Sequence, residues 1–184
     1  MDIVDRVKRI LVEPRAEWVK IAAESPSVQS LYTSWIMILA AIGPLALLLS
    51  AHSVQLAIAQ YVRSLITTFV LALVVDTLAP SFGGRKDFVA SLKLTAYSST
   101  AAWLAGVFYL FGVLGSLVSL VAAIYALYTF FLGAPVLDKS SADKAIPFTL
   151  VVVLCAIVLF FLARFAFTGV MTAPMHPAVG MSMY

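Results

Sequence analysis

Asp76 is the one acid inside a long apolar run, VLALVVDTLAP, and a cluster of cations follows it closely. Arg85, Lys86, Asp87 and Lys93 come within the next 17 positions, with Tyr97 one turn beyond. An ionisable residue in a membrane-length segment is costly and marks a functional candidate. Asp76 falls about one helical turn from the end of its segment. Its structural alternative is an interfacial carboxylate paired with Arg85, Lys86 or Lys93. Between these groups runs Ser81-Phe82-Gly83-Gly84-Arg85-Lys86-Asp87, a glycine-rich basic loop. Such a loop can bring backbone amides to a lipid phosphate. It lacks the GxxxxGK[ST] spacing of a nucleotide P-loop. A tight turn in which glycine supplies positive φ is the favoured reading.

Lys93, Tyr97 and Thr100 recur at i, i+4 and i+7, on one face of a helix. The Tyr97 hydroxyl needs a partner, and Asp76, Tyr125 or Tyr128 can supply one. The expectation is a small polar cluster joining the ends of three helices. An aromatic belt at a membrane interface is the plainer account of Tyr125, Tyr128, Phe130 and Phe131.

The elements that position these residues are apolar helices. The chain has 184 residues, 62% apolar and only 11% charged. Soluble domains are roughly half apolar and roughly a quarter charged. Runs of the ~20 apolar residues that span hydrocarbon recur along the sequence. The expected fold is all-α: a five-span domain over 31–169, with spans near 31–50, 57–78, 88–111, 114–132 and 146–169. Gly43-Pro44 marks a kink in the first span, and Pro80 stops the second. The short link near Gly112 to Gly115 makes the third and fourth spans antiparallel neighbours.

A segment of two short amphipathic helices, residues 1–30, precedes the first span. Ile3, Val7, Ile10 and Leu11 line one helix, and Trp18 and Ile21 the other, which starts after Pro14. They either lie in the membrane interface or pack on the bundle. A tail without Lys or Arg, residues 170–184, closes the chain.

Ten of the 12 Lys and Arg fall on one side of the five-span layout. Only Arg63 and Arg164 fall toward the other, where their long stems let them snorkel. The excess of basic residues marks the cytoplasmic side. The N-terminus is therefore expected inside and the C-terminus outside.

The tail carries Met175 and His176 among further methionines, and His52 lies in a loop on the same side. Thioether and imidazole suit Cu(I), yet the spacing is irregular, and a tail resting on the membrane is preferred. No cofactor is expected. Nucleophile arrangements, paired catalytic acids and HExxH motifs are absent, so a non-enzymatic role is expected. Cys155, the single cysteine, lies in an apolar run, which reads as packing.

Several blocks together carry a family resemblance: DTLAPSFGG at 76–84, FVASLKLTAYSST at 88–100 with Trp103 after it, YALY then GAPVL within 125–137, and DKA at 143–145. From about Ser30 to Phe167 the chain is similar to the bacterial branch of the YIP (Ypt/Rab-interacting protein) superfamily. That resemblance implies a five-span bundle in the inner membrane with a cytosolic N-terminus. Eukaryotic members look like trafficking factors that bind Rab-type GTPases and membrane-shaping partners, through a longer N-terminal region than the thirty or so residues here. The expected role is a membrane scaffold contacting partner proteins or anionic lipid at its cytoplasmic face. The expected partners are membrane lipids, a cytosolic or membrane protein and other copies of the chain, with no nucleic acid. The competing reading is a small transporter or channel with a polar path around Asp76, Tyr97 and Tyr128. Against it, the outer halves of the spans look too apolar for a path through one chain. Small residues at Ala101, Ala102, Ala105 and Gly106 suit close helix contact in an oligomer.

Overall fold

The computed structural model describes residues 2–51 and 53–172. His52 and the tail residues Met175 and His176 lie outside them. Helix α1 (Ile3–Val12) starts at an Asp2 cap whose carboxylate accepts from the Val4 amide at 3.3 Å. Helix α2 (Pro14–Ala23) begins on proline, whose missing N–H costs nothing in a first turn. The two form a hairpin that folds back onto the bundle rather than standing apart. Ile10, Trp18 and Ile21 are buried in the same core as Trp35, Leu94 and Phe148.

The first apolar segment is broken into α3 (Val28–Leu31), a π-helical turn at Tyr32–Ile36, α4 (Met37–Ala40) and α5 (Ile42–Ala51). Its break falls at Ala41. Proline at 44 cannot donate to the carbonyl four residues back, at Ala40, so the ladder opens there. Helix α6 (Val54–Leu78) is unbroken and continues as a 3-10 turn, Ala79–Phe82, from Pro80 onward.

The third segment departs from a single span. It forms α7 (Phe88–Ser98), α8 (Thr100–Ala105) and a 3-10 stretch, Gly106–Phe111. Ser99 marks the bend and returns its hydroxyl to the Thr95 carbonyl at 2.8 Å, a bond that competes with the helix ladder. Nine consecutive residues of α7, Ala90 to Ser98, are buried. This helix is the centre of the bundle, and Lys93 and Tyr97, with Thr100 beyond them, are buried along with its apolar residues. Farther along, Gly106 meets Gly43 so closely that a Cβ on Gly106 would lie 2.6 Å from the Gly43 Cα. With Ala101 and Ala105 also buried, most of the small residues expected to serve an oligomer pack within the chain.

Gly112, with φ of 55°, reverses the chain into α9 (Val113–Val136), which packs beside α8. Helix α10 (Ala145–Thr172) follows a short 3-10 turn at Ala142–Lys144. Among the described residues four helical stretches are long and apolar enough to cross a membrane: Val28–Ser50, Val54–Phe82, Val113–Val136 and Ala142–Ala166. Their outward side chains, such as Leu49, Val113, Leu154 and Phe165, are exposed apolar groups that only lipid would cover. The chain is a multi-pass membrane protein.

Candidate functional site

The loop after α6 and the loop after α9 lock together at the end of the bundle that carries α1 and α2. Gly83 sits in the left-handed region, φ 78°, as its turn requires. Gly84 is needed for a different reason: a Cβ there would overlap the Lys139 carbonyl. The two chains bridge at Gly83 and Ser140. The Arg85 amide donates to the Asp138 carbonyl at 2.7 Å, and the Ser141 amide to the Phe82 carbonyl at 3.0 Å. Phe82 itself rests on Phe148 of α10, ring centroids 5.4 Å apart.

Lys139 closes this clasp. Its side chain is fully buried and its ammonium donates to the carbonyls of Arg85 at 2.8 Å and Asp87 at 2.7 Å. Asp76 lies 3.5 Å from the same ammonium. One Asp76 oxygen also accepts from the Asp87 amide at 2.8 Å and the Ser91 hydroxyl at 3.1 Å. Burial lowers the Lys139 pKa, and the Asp76 charge opposes that shift. The expected partners of Asp76 among Arg85, Lys86 and Lys93 are thus replaced by a lysine 63 positions on. Arg85 instead pairs with Asp138, and the Lys93 ammonium donates to the Glu24 carbonyl at 2.8 Å.

A second polar layer fastens α1 and α2 to α7. Arg6 donates to both carboxylate oxygens of Glu24 and, at 3.0 Å, to the Tyr97 hydroxyl. Its guanidinium lies 5.6 Å from the centre of the Tyr97 ring, in cation–π range. Glu17, almost wholly buried, faces Arg6, Arg9 and Lys20 at 3.4–3.5 Å. Hydrogen bonding to Glu24 raises the Arg6 pKa, and the same bond lowers that of Glu24. Trp18 completes the attachment by donating to the Thr129 carbonyl at 3.0 Å. A side chain on Gly133 of α9 would collide with the Trp18 ring.

The expected single cluster is therefore two. Tyr97 finds Arg6 rather than Asp76, Tyr125 or Tyr128. The Tyr125 hydroxyl donates to the Leu11 carbonyl at 3.0 Å, holding the end of α1. The Tyr128 ring lies tilted beside it, centroids 5.8 Å apart, and is 43% exposed. The amides of Gly83, Gly84 and Arg85 are all bonded to main-chain carbonyls, so the loop offers them to no phosphate.

Between the two layers lies an open cleft of about 690 Å³. Glu24, Lys86, Asp87, Lys93, Asp138 and Lys139 are among its lining residues. Lys86 is exposed and has no ion pair among the described residues. The sequence reading missed Arg6, Glu24, Asp138 and Lys139 as members of this site. Their contacts cross 53 to 91 positions of sequence, and the only local signal is that Asp138 and Lys139 directly follow the GAPVL block.

The Yip1 domain model matches residues 8–164, most of the chain. This protein belongs to the Yip1 domain family. The match begins inside α1, so α2 and the second half of α1 fall within the Yip1 domain, in keeping with the burial of Ile10, Trp18 and Ile21 in its core. Within this Yip1 domain lie the clasp and, Arg6 itself excepted, the residues of the second polar layer. No curated protein and no solved structure matches the chain.

Proposed function

We propose that this protein is a non-enzymatic membrane scaffold that binds a partner through the face built from α1, α2 and the clasp. The face lies on the cytoplasmic side of a bacterial inner membrane, and α7, α8 and the 3-10 stretch supply a fifth crossing. The cleft carries this reading: it is open and lined by charges of both signs, of which Lys93, Asp138 and Lys139 are held by hydrogen bonds or ion pairs. Preformed concave sites with a few fixed polar groups are where ligands bind.

Charge balance favours a protein segment over bulk anionic lipid. Ten Lys and Arg gather at this end, and so do all nine Asp and Glu. A net charge this small gives little long-range pull on a membrane surface. It suits a partner carrying both signs, with Lys86 free to pair. A photoreactive residue at Lys86, in the full chain in its own membrane, tests the idea. A protein adduct that deleting α1 and α2 abolishes is expected. Adducts with lipid alone would assign the face to lipid and overturn the protein reading.

The transporter reading is less well supported. Between the clasp and the other end of the bundle, Ala72, Val75, Leu92 and Ala96 are almost completely buried and apolar. Among the polar side chains beside them, Ser91 bonds Asp76 and Thr95 turns its hydroxyl to the Ser91 carbonyl at 2.9 Å, so both are spent within the protein. Liposome flux that disappears in Asp76→Asn would restore that reading.

A further inference from the structure

The opposite half of the bundle holds a second cavity, of about 440 Å³, enclosed by α5, α6, α8, α9 and α10. On α6 its wall is Gln60, Arg63, Ser64, Thr67 and Thr68, and Thr95 and Ser99 face it from the central segment. These positions recur at helical spacing, a polar stripe within an apolar bundle. Arg63 is nine residues into α6, about 13 Å from the helix start at 1.5 Å per residue. It does not snorkel out freely: its guanidinium lies 5.9 Å from the Phe160 ring centre, inside the cavity wall.

The donors and acceptors of this wall are unequal. Thr68, Thr95 and Ser99 spend their hydroxyl protons on carbonyls of their own helices, at 2.8, 2.9 and 2.8 Å. Arg63 and the Gln60 amide remain as strong donors. No carboxylate lines the cavity among the described residues. A cation at this depth is costly without an anion. Next to the cavity runs an apolar groove of about 230 Å³ between α5 and α6, and Pro44 borders both. Leu45 and Ile58, each 58% exposed, form its outer lips.

We propose that this cavity binds the phosphate of a membrane phospholipid on Arg63 and Gln60, with an acyl chain leaving along the α5–α6 groove. The cavity is large enough for a headgroup and the first carbons of its chains, within the usual range for ligand sites. The groove argues for a lipid over free phosphate, because a soluble anion has no use for it. The site is separate from the cleft at the other end and does not depend on it.

The test uses full-length protein in non-ionic detergent, stripped of lipid. It is titrated with dihexanoyl phosphatidylglycerol, dihexanoylglycerol and inorganic phosphate, and read by native mass spectrometry and calorimetry. One phosphatidylglycerol per chain is expected. Arg63→Gln and the phosphate-free dihexanoylglycerol should each weaken binding about tenfold or more, the scale of a charge-assisted hydrogen bond. Arg63→Lys should retain most of the affinity. Ala102→Leu, which fills the cavity from an exposed wall position, should weaken binding with Arg63 intact. Lys144→Gln, exposed on the 3-10 turn before α10 and absent from the cavity lining, should leave it unchanged. Equal binding by dihexanoylglycerol, or no effect of both Arg63→Gln and Ala102→Leu, would overturn the site. Inorganic phosphate binding as tightly as the lipid would overturn the lipid assignment.

Discussion

Lys139 and Asp76 stand 3.5 Å apart, the lysine side chain wholly buried and two further carbonyls bound to its ammonium. The pair ties the end of α6 to the loop between α9 and α10. Removing one member of such a pair strands a buried charge and costs roughly 3–5 kcal/mol. Lys139→Met should lower thermal stability in detergent by that order. Asp76→Asn should lower it less, because the amide oxygen still accepts from Asp87 and Ser91. The double variant should cost less than the sum of the two. Strict additivity would mean the groups do not act as a pair.

The two glycines of the clasp should differ under the same assay. Gly83→Ala places a side chain at positive φ, a cost of about 1–2 kcal/mol. Gly84→Ala drives a Cβ into the Lys139 backbone and should be the more damaging. A milder effect at Gly84 than at Gly83 would contradict the packing described.

Acid should loosen the helical hairpin. The Arg6 hydrogen bond holds the Glu24 pKa below its ordinary value. A depressed carboxylate stabilises the fold above the unfolded value, about 4.3 for Glu. That stability is lost as pH falls through the lower, folded value. Amide exchange in α1 should therefore rise below about pH 4, and Glu24→Gln should flatten the dependence. Glu24 is partly exposed, so screening keeps the effect modest.

Trp18 anchors α2 in the space Gly133 leaves open. Trp18→Ala deletes a buried aromatic at a cost of about 3–5 kcal/mol. Gly133→Leu should displace the ring and expose it. Quenching of Trp18 fluorescence by acrylamide, in a Trp35→Phe, Trp103→Phe background, would report this, and unchanged quenching in Gly133→Leu would contradict the contact.

Much of the fold could be read before any coordinates were known, because burying apolar side chains in lipid is a local, additive demand. The long apolar runs became long helices, and the Gly83 turn formed as its glycine required. Pro44 opened the ladder within a few residues of the expected kink. The third segment defied the simple pattern for a physical reason. Helix α7 lies at the centre and every side is covered, so its polar residues had to find partners rather than solvent. For Lys93 and Tyr97 those partners came from far away in sequence, Glu24 and Arg6, just as Lys139 did for Asp76 on α6. No periodicity records a contact across tens of residues. The stripe from Gln60 to Thr68 was readable as helical spacing, but the apolar average of its span masked it.

The face formed by α1, α2 and the clasp is proposed to be one surface on the cytoplasmic side, and side-specific labelling tests this most directly. Lys8→Cys and Lys86→Cys, each placed in a Cys155→Ser background, would be exposed to a membrane-impermeant maleimide in intact spheroplasts and again after permeabilisation. Both positions should label only after permeabilisation. Labelling of either one in intact spheroplasts would contradict the arrangement.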